Sequence, residues 1–427
     1  MKKTLLYITT VLLSFSGFAQ EKLDVDQAVA LALENNHGII MAKNTADISA
    51  NNATVGNAGL LPRLDFNTGI NYNNNTLQIP AGEENQESTM TNAGLNLSYT
   101  LFDGMASYYT YDKLKVIQDG GALQARYNIE NTVSQVISVY YQLAEINESN
   151  KLSREMLDIS SDRLQRAVEQ KKYGKATSLE VLNAQVDYNN DSINYINSSM
   201  MLEEVKRSLN VMLGREPSFA FEIEAAVVDF SVFNLQQIKE EAIRSNTSYL
   251  LSQNNIETSE IDLKLAKSSY SPRLSLNSSY GYNQTVSGLD VAFNEPNTGF
   301  STGITLSYSL FDGNRKLIQK QNALISLDNA RLKEDQQQLE LTKAVENAFA
   351  NYQNSLAVLE AEQFNLQSAQ MNFEVSKEYF QLGQITSTRF REAQLNLQRA
   401  KNNISSAKYA AKINETEIVK LSGNLIQ

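Results

Sequence analysis

The sequence contains no cysteine, no tryptophan, one histidine and only five prolines in 427 residues. Without cysteine the chain has neither a disulfide framework nor a thiolate metal site. The histidine, His37, has no cluster of carboxylates beside it, and a lone histidine is far more often a surface side chain than a ligand. We therefore expect no metal and no cofactor, and we assign His37 no function.

Positive charge is also scarce. The chain has 37 Lys and Arg against 48 Asp and Glu, which gives a formal net charge of −11 and a pI near 4.9. This balance argues against nucleic acid as a partner. Charged residues make up only 20% of the chain, whereas Asn, Gln, Ser and Thr are abundant. Uncharged polar surfaces of this kind suit the wall of a wide aqueous pore.

Long hydrophobic runs are missing except at the N-terminus. Two lysines begin the chain, an apolar run covers 5–15, and Gly17 and Ala19 supply the small residues of a cleavage site. These features predict a secretory signal peptide at 1–19, which is too short to span a membrane as a helix. The exported chain is then soluble, surface-associated or a β-barrel.

The sequence does contain a tandem duplication. Four blocks recur in one order, 209 or 210 residues apart: Pro62-Arg63-Leu64 as Pro272-Arg273-Leu274, Leu101-Phe102-Asp103-Gly104 as Leu310-Phe311-Asp312-Gly313, Tyr173-Gly174 as Leu382-Gly383, and Gly214 as Gly423. A fixed spacing over several blocks indicates repeated structural units. We divide the mature chain into a first repeat at 20–214, a linker at 215–234 and a second repeat at 235–427.

Each repeat predicts the same order of elements. A helical segment, at about 25–61 or about 235–271, ends at a proline. Two stretches that alternate apolar and polar residues follow, and they predict strands of about ten residues, enough to cross a bilayer. A helix of about 69 residues, roughly 100 Å long, then leads to a glycine turn, and a helix of about 37 residues returns. In the first long helix Gly120-Gly121 predicts a bend or weak point.

The predicted strands cannot stand alone in a membrane. Four strands do not close a barrel, and open strand edges are not tolerated in lipid. Because one strand face is apolar and the other small and polar, we expect the strands to join a barrel shared by several copies of the chain. Tyrosines on the strands, interpreted as an interfacial aromatic girdle, are Tyr72, Tyr99, Tyr280, Tyr282 and Tyr308.

The Pro-Arg-Leu strand opening, the Leu-Phe-Asp-Gly exit and the Gly-x-x-Thr-Ser…Ala-Gln turn, each present twice, resemble the TolC-like outer-membrane efflux protein family over about 23–423. The resemblance implies an α+β membrane protein: a homotrimer with a 12-stranded β-barrel in outer-membrane lipid, continued by an α-helical tunnel through the periplasm. It implies a passive channel, not an enzyme, in a tripartite efflux or type I secretion system with a periplasmic adaptor (membrane fusion protein) and an inner-membrane pump. It also places the linker, with Pro217, Val227, Val228 and Phe230, in an equatorial belt.

The same resemblance implies roles for particular residues. The turns between long helices would be periplasmic tips that contact the adaptor: Tyr173, Gly174, Thr177, Ser178, Leu382, Gly383, Thr386 and Ser387. The junctions between hairpins and helices are Pro62, Arg63, Phe102, Gly104, Pro272, Arg273, Phe311 and Gly313. In the family, two acidic residues three positions apart often narrow the gate. The matching positions here are Arg389 and Glu392, with Glu180 and Asn183 in the first repeat, so we expect a mixed-charge gate with weaker cation selectivity than an acidic ring.

Two other functions remain open at this stage. A secreted coiled-coil scaffold or adhesin would use the alternating segments as a soluble β-tip, and it would have to hide their apolar faces by packing. An enzyme has little support, because no nucleophile–base pair, metal cluster or phosphate-binding glycine loop appears. The transported substrate does not follow from the sequence.

Overall fold

The computed structural model describes residues 21–80, 82–224, 229–287 and 295–426. The predicted signal peptide and the linker residues Val227 and Val228 lie outside these ranges. The elements in chain order are β1 (Glu21–Leu23), α1 (Val25–Asn35), α2 (His37–Asn52), β2 (Arg63–Ile79), β3 (Gly82–Phe102), α3 (Ala106–Lys172), α4 (Ser178–Met212), β4 (Phe221–Ile223), α5 (Leu235–Ser245), α6 (Thr247–Ser268), β5 (Arg273–Ser287), β6 (Asn297–Ser307), α7 (Arg315–Gln381) and α8 (Ser387–Leu421).

The two repeats have the same order of elements. Each has two short helices, a β-hairpin, a long helix of 67 residues and a return helix of 35 residues. At 1.5 Å per residue, α3 and α7 are each about 100 Å long, which confirms the predicted length. Among the described residues, no helix combines the length and apolar composition needed to cross a bilayer.

Each predicted helical segment consists of two helices separated by one asparagine, and the second helix ends at Asn52 in the first repeat and at Ser268 in the second. Asn36 separates α1 from α2 with an extended backbone (φ −66°, ψ 121°), and its side-chain oxygen accepts a hydrogen bond from the Ile39 N–H. The Asn36 amide also donates to the carbonyl of Met212 at the end of α4 (2.7 Å). Asn246 repeats both features between α5 and α6, where its amide donates to the carbonyl of Leu421 (3.1 Å). The breaks therefore serve to join the start of each repeat to its end.

At Gly120-Gly121, where the sequence predicts a bend or weak point, α3 continues without a break. A β-carbon on Gly120 would lie 2.5 Å from the side chain of Asn254 in α6, and one on Gly121 would lie 2.7 Å from Ser49 in α2. The two glycines let neighbouring helices approach α3 closely.

Two apolar cores lie midway along the long helices. In the first repeat α1 packs on α3 around Ala28, Ala32 and Val136, and in the second α5 packs on α7 around Ile238, Ala242 and Val345. These residues are related by the repeat spacing. Short strands β1 and β4 pair in parallel beside the first core, and Phe230 of the linker packs on the second. The buried apolar core is thus concentrated at the middle of the molecule, away from the hairpins and the tips.

Candidate functional site: strand faces and helical tips

The four long strands form one antiparallel sheet in the order β2-β3-β5-β6, in which β3 pairs with β5 and joins the two repeats. Successive strands alternate in direction, so the edge strands β2 and β6 run opposite to each other. Among the described strands, neither has a partner on its outer side. A sheet with two open, antiparallel edges can pair with further copies of itself.

The register separates the two faces of this sheet. One row across the four strands is Phe66, Leu95, Tyr280 and Phe300, and the neighbouring row on the opposite face is Asn67, Gly94, Gly281 and Gly299. Leu64, Ile70, Ile304 and Leu306 belong to the apolar face and are exposed to solvent in the single chain. Exposed apolar side chains on a continuous face, with small and polar ones behind it, are typical of strands that face lipid on one side and water on the other.

The strands are longer than the predicted ten residues, because β2 has 17 residues and β3 has 21. Glu83 and Glu84, which the sequence places between the two alternating stretches, lie within β3. Thr76 donates a hydrogen bond to Asn85 across the extended hairpin (2.9 Å). The first hairpin therefore extends well past the apolar band.

Tyrosines occur near both ends of the apolar band. Tyr99 lies opposite Leu276 near the helical end of the sheet, and Tyr72 lies opposite Thr89 near the other end. Residues 89 and 99 are ten apart along β3, which corresponds to about 34 Å of strand and about 26 Å of depth at a tilt of about 40°. This spacing matches the apolar thickness of a membrane barrel and supports a girdle at Tyr72 and Tyr99. The girdle interpretation was wrong for Tyr280 and Tyr282, which lie opposite Leu95 and Ala93 near the middle of the band.

The predicted junction residues lie where each hairpin meets the helices. Pro62 precedes β2, and Arg63 starts it with an exposed ion pair to Asp65 (2.9 Å). At the exit from β3, Gly104 has φ +72°, and Asp103 accepts a hydrogen bond from the Ser107 N–H in the first turn of α3 (3.0 Å). In the second repeat Arg273 likewise starts β5 after Pro272, with Ser275 in place of Asp65, and at the exit Gly313 has φ +71° and Asp312 accepts a hydrogen bond from the Lys316 N–H (3.1 Å). Phe102 ends β3, whereas its counterpart Phe311 lies past β6, and both side chains are exposed.

Both tips are tight turns between antiparallel helices. Gly174 (φ +72°) and Gly383 (φ +75°) take the left-handed conformation that ends α3 and α7. Tyr173 and Leu382 beside them are 80% and 70% exposed. Thr177 caps α4 and Thr386 caps α8, so the neighbouring Ser178 and Ser387 begin the return helices.

The four gate candidates lie on the first turns after these caps and are all exposed. Glu180 forms a capping box in which its carboxylate accepts a hydrogen bond from the Thr177 N–H (2.7 Å). Arg389 holds the same position in α8 and provides no such carboxylate. Within the described part of one chain, no ion pair joins Arg389 to Glu392. At the second gate position the first tip has the uncharged Asn183, whereas the second tip has Glu392.

The sequence did not lead us to a buried ion cluster that joins the two helical hairpins. Arg391 of α8 is 8% exposed and contacts Asp191 of α4, itself 3% exposed, at 2.6 Å. Arg163 of α3 contacts Asp187 of α4 at 3.1 Å and donates to Ser387 of α8 at 2.9 Å. Burial lowers the pKa of the Arg163 guanidinium, and the charge of Asp187 opposes this shift. The cluster thus ties the hairpin of the first repeat to the return helix of the second, near the tips.

A comparison of the two repeats contains a signal for this cluster. At the equivalent positions the other copy has Leu182 for Arg391, Asn372 for Arg163, Asn396 for Asp187 and Ala400 for Asp191. None of the four charges recurs at its equivalent position in the other repeat, which predicts a contact made once within each chain and not repeated between chains.

Buried tyrosines connect the short strands to the long helices. The Tyr140 hydroxyl donates to the carbonyls of Leu23 (2.9 Å) and Glu224 (3.3 Å) on either side of the β1–β4 pair. Tyr409 donates to Glu148, which also accepts from Lys408 (2.8 Å). Burial raises the pKa of Tyr141, which stacks on Tyr409, to about 12, and the charge of Glu415 adds to the shift.

These tyrosines predict a loss of stability in alkali. A tyrosine with a folded-state pKa above its unfolded value of about 10 stabilises the fold fully below pH 10, and this contribution is lost as the pH rises. We expect the melting temperature of wild-type protein to fall steeply between pH 10 and 12 and that of Tyr141→Phe to fall less. Circular dichroism against pH measures this, with Tyr173→Phe as the exposed control. Parallel curves for all three proteins would contradict the prediction.

Comparison with known proteins places this geometry in context. The sequence profile of the outer membrane efflux protein family matches residues 28–215 and 240–424. Outer membrane protein TolC of Vibrio cholerae is 21% identical over 386 residues, which cover 88% of this chain and 85% of that protein. Among solved structures, the Campylobacter jejuni CmeC outer membrane channel has a TM-score of 0.79 at 16% identity, over 94% of this chain and 86% of CmeC. VceC from Vibrio cholerae has a TM-score of 0.75 at 14% identity, over 94% and 97% of the two chains.

Proposed function

Because this chain belongs to the outer membrane efflux protein family, we propose that three copies of it close into a passive conduit from the periplasm to the cell exterior. The chain is the outer-membrane channel component of a tripartite efflux system, with its helical part in the periplasm. The family consists of channels, not enzymes. The observation that carries the proposal is the two-faced sheet with two open, antiparallel edges.

Those edges support a trimer. Pairing of β6 of one copy with β2 of the next extends the alternation of strand directions without a break, and three copies give the twelve strands of a barrel with a water-filled lumen. The helices lie side by side in the order α4, α3, α8 and α7, because α3 packs against both α4 and α8, and α8 packs against α7. This leaves α4 and α7 as the free sides of the lower helical part.

The free sides of α4 and α7 match each other. Leu182, Val186 and Ile193 are exposed on α4, and Val375, Met371 and Phe364 are exposed on α7. The members of each set lie 8, 12 and 19 residues from their own tip glycine, so apolar side chains on the two antiparallel helices come to the same height. Steps of four and seven residues fit the heptad spacing of a coiled-coil seam. We expect this seam to form between neighbouring copies.

The position of the tips supports the proposed contact with an adaptor protein. The tips lie about 100 Å of helix away from the sheet, which is where an adaptor protein fed by an inner-membrane pump would meet the channel. Open space around Gly174 and Gly383 leaves both turns accessible. We assign the adaptor contact to Tyr173, Gly174, Thr177, Ser178, Leu382, Gly383, Thr386 and Ser387.

Fractionation and conductance together test the conduit. We expect the protein to be extracted from outer membranes only with detergent, and the purified trimer to produce discrete conductance steps in planar bilayers. Recovery in the soluble periplasm without conductance would instead favour a secreted scaffold.

The lipid-facing side of the sheet gives a paired prediction. Phe66→Lys places a charge near the middle of the apolar band, where we expect it to cost about 2–4 kcal/mol per chain and to reduce folded trimer in the membrane. Asn67→Lys changes the next residue on the opposite, lumen-facing side and should assemble normally. Heat-modifiable mobility of outer-membrane fractions on gels measures both. Equal assembly of the two variants would contradict the assigned faces.

For the gate, we propose that Arg389 offsets the carboxylates of Glu180 and Glu392 where the tips converge, with Asn183 adding no charge. Block of single-channel current by divalent cations should then be weak in wild-type protein and stronger in Arg389→Ala, because removal of the guanidinium exposes the carboxylates. Strong block that is the same in both proteins would exclude this role for Arg389.

A further inference from the structure

The tip of the first repeat carries a concentration of positive charge that the second tip lacks. Residues 170–179 include Lys171, Lys172 and Lys175 and no acidic residue, whereas the equivalent residues 379–388 include no charged residue at all. The three lysines are exposed, and none of them forms an ion pair within the described part of the chain. At the second tip Phe380 takes the place of Lys171 and stacks on Phe390, with ring centroids 4.8 Å apart.

The surrounding charges do not cancel this excess. Within residues 166–183 the other exposed charges are Arg166, Glu169 and Glu180, and within the equivalent residues 375–392 they are Lys377, Glu378, Arg389 and Glu392. The buried cluster adds two arginines and two aspartates and is neutral overall. The exposed side chains of these two windows therefore sum to +2 per chain, in a protein whose net charge is −11, and the next exposed charges outward on α3 and α7 are Asp162 and Glu374. The positive charge is a local property of the tips.

The position of the tips places this positive charge where it can act on ions that enter the tunnel. In the proposed trimer the tips form the rim of the tunnel mouth, so three chains place nine lysines around it. Ions that pass a narrow rim come within the Debye length of about 8 Å at physiological ionic strength, and rings of basic side chains favour anions in other pores. We propose, on the basis of the proposed channel function, that the periplasmic mouth prefers anions and that the channel conducts cargo with net negative charge, such as carboxylates and phosphate or sulfate esters.

The second repeat supplies the variant that tests this proposal. Lys172→Gln with Lys175→Gln introduces the glutamines that occupy the equivalent positions Gln381 and Gln384, where the same glycine turn forms. The fold should therefore be kept while six charges leave the rim of the trimer. The reverse change, Gln381→Lys with Gln384→Lys, adds six. Lys264→Gln with Lys333→Gln removes the same number of exposed charges far from the tips.

The readout is the reversal potential of purified full-length trimers in planar bilayers under a KCl gradient. We expect an anion preference in wild-type protein, a fall in the chloride-to-potassium permeability ratio of about threefold or more in Lys172→Gln/Lys175→Gln, and a rise in Gln381→Lys/Gln384→Lys. The Lys264→Gln/Lys333→Gln control should stay near wild type. All differences should shrink at 1 M salt, where the Debye length is about 3 Å.

Two results would overturn the proposal while leaving the channel function intact: a cation preference in conducting wild-type trimers, or an unchanged reversal potential in the double glutamine variant. Absence of conductance from every folded variant would overturn the channel function and this proposal with it.

Discussion

Replacement of Arg391 by methionine is expected to loosen the periplasmic half of the molecule. Asp191 would keep its buried carboxylate, 3% exposed, and lose the guanidinium that contacts it at 2.6 Å. Removal of one partner from a buried ion pair costs about 3–5 kcal/mol, because the remaining charge is desolvated and uncompensated. The apolar cores lie midway along the helices, so the loss should be confined to the tip side of α4 and α8.

Hydrogen exchange resolved by peptide measures this effect. Amides in the tip-side halves of α4 and α8 should exchange much faster in Arg391→Met, and those around Val136 and Val345 should not change. Combining Arg391→Met with Asp191→Leu removes both charges and should recover most of the protection, since a buried pair is often replaced by apolar residues without loss. If the single variant exchanged like wild type, the cluster would not hold the two hairpins together.

The second large effect is expected at Gly214. Gly214 ends α4 with φ +69°, and Gly174 ends α3 with the same turn at φ +72°. A β-carbon on Gly214 would lie 2.4 Å from the carbonyl oxygen of Asn35, whereas one on Gly174 would meet no atom within 4 Å. Alanine at Gly174 would only have to adopt the left-handed conformation, which lowers the free energy of unfolding by about 1–2 kcal/mol. At Gly214 the overlap adds about 1–3 kcal/mol, for a total of roughly 2–5 kcal/mol.

Thermal unfolding and trimer yield compare the two alanine variants. Gly214→Ala should lower the melting temperature and the amount of assembled trimer, because the overlap pushes the end of α4 away from Asn36, whose amide donates to Met212. Gly174→Ala should assemble nearly as well as wild type. Gly423→Ala should behave like Gly214→Ala, since its β-carbon would lie 2.5 Å from the Ser245 carbonyl. Equal effects at all three glycines would show that backbone conformation alone matters.

Much of the fold could be predicted from the sequence because its determinants are local. Proline before each hairpin, Leu-Phe-Asp-Gly after it, and a glycine at each tip act through the backbone of a few neighbouring residues. Alternation and heptad spacing set which side chains share a face, and the duplication doubled each signal. The strand faces, the long helices and the positions of the tips follow from these features alone.

What only the tertiary structure decided depends on residues far apart in the chain. Asparagine at position 36 does not by itself end a helix, and the break forms where the Asn36 amide reaches Met212, 176 residues away. The sequence does not show that Gly120 and Gly121 are contact points for α6 and α2. Arg391 and Asp191, 200 residues apart, meet only because α8 packs on the hairpin of α3 and α4. Local conformation is specified by neighbours in sequence, whereas partners across an interface are chosen by packing, and that choice appears only once the helices are placed.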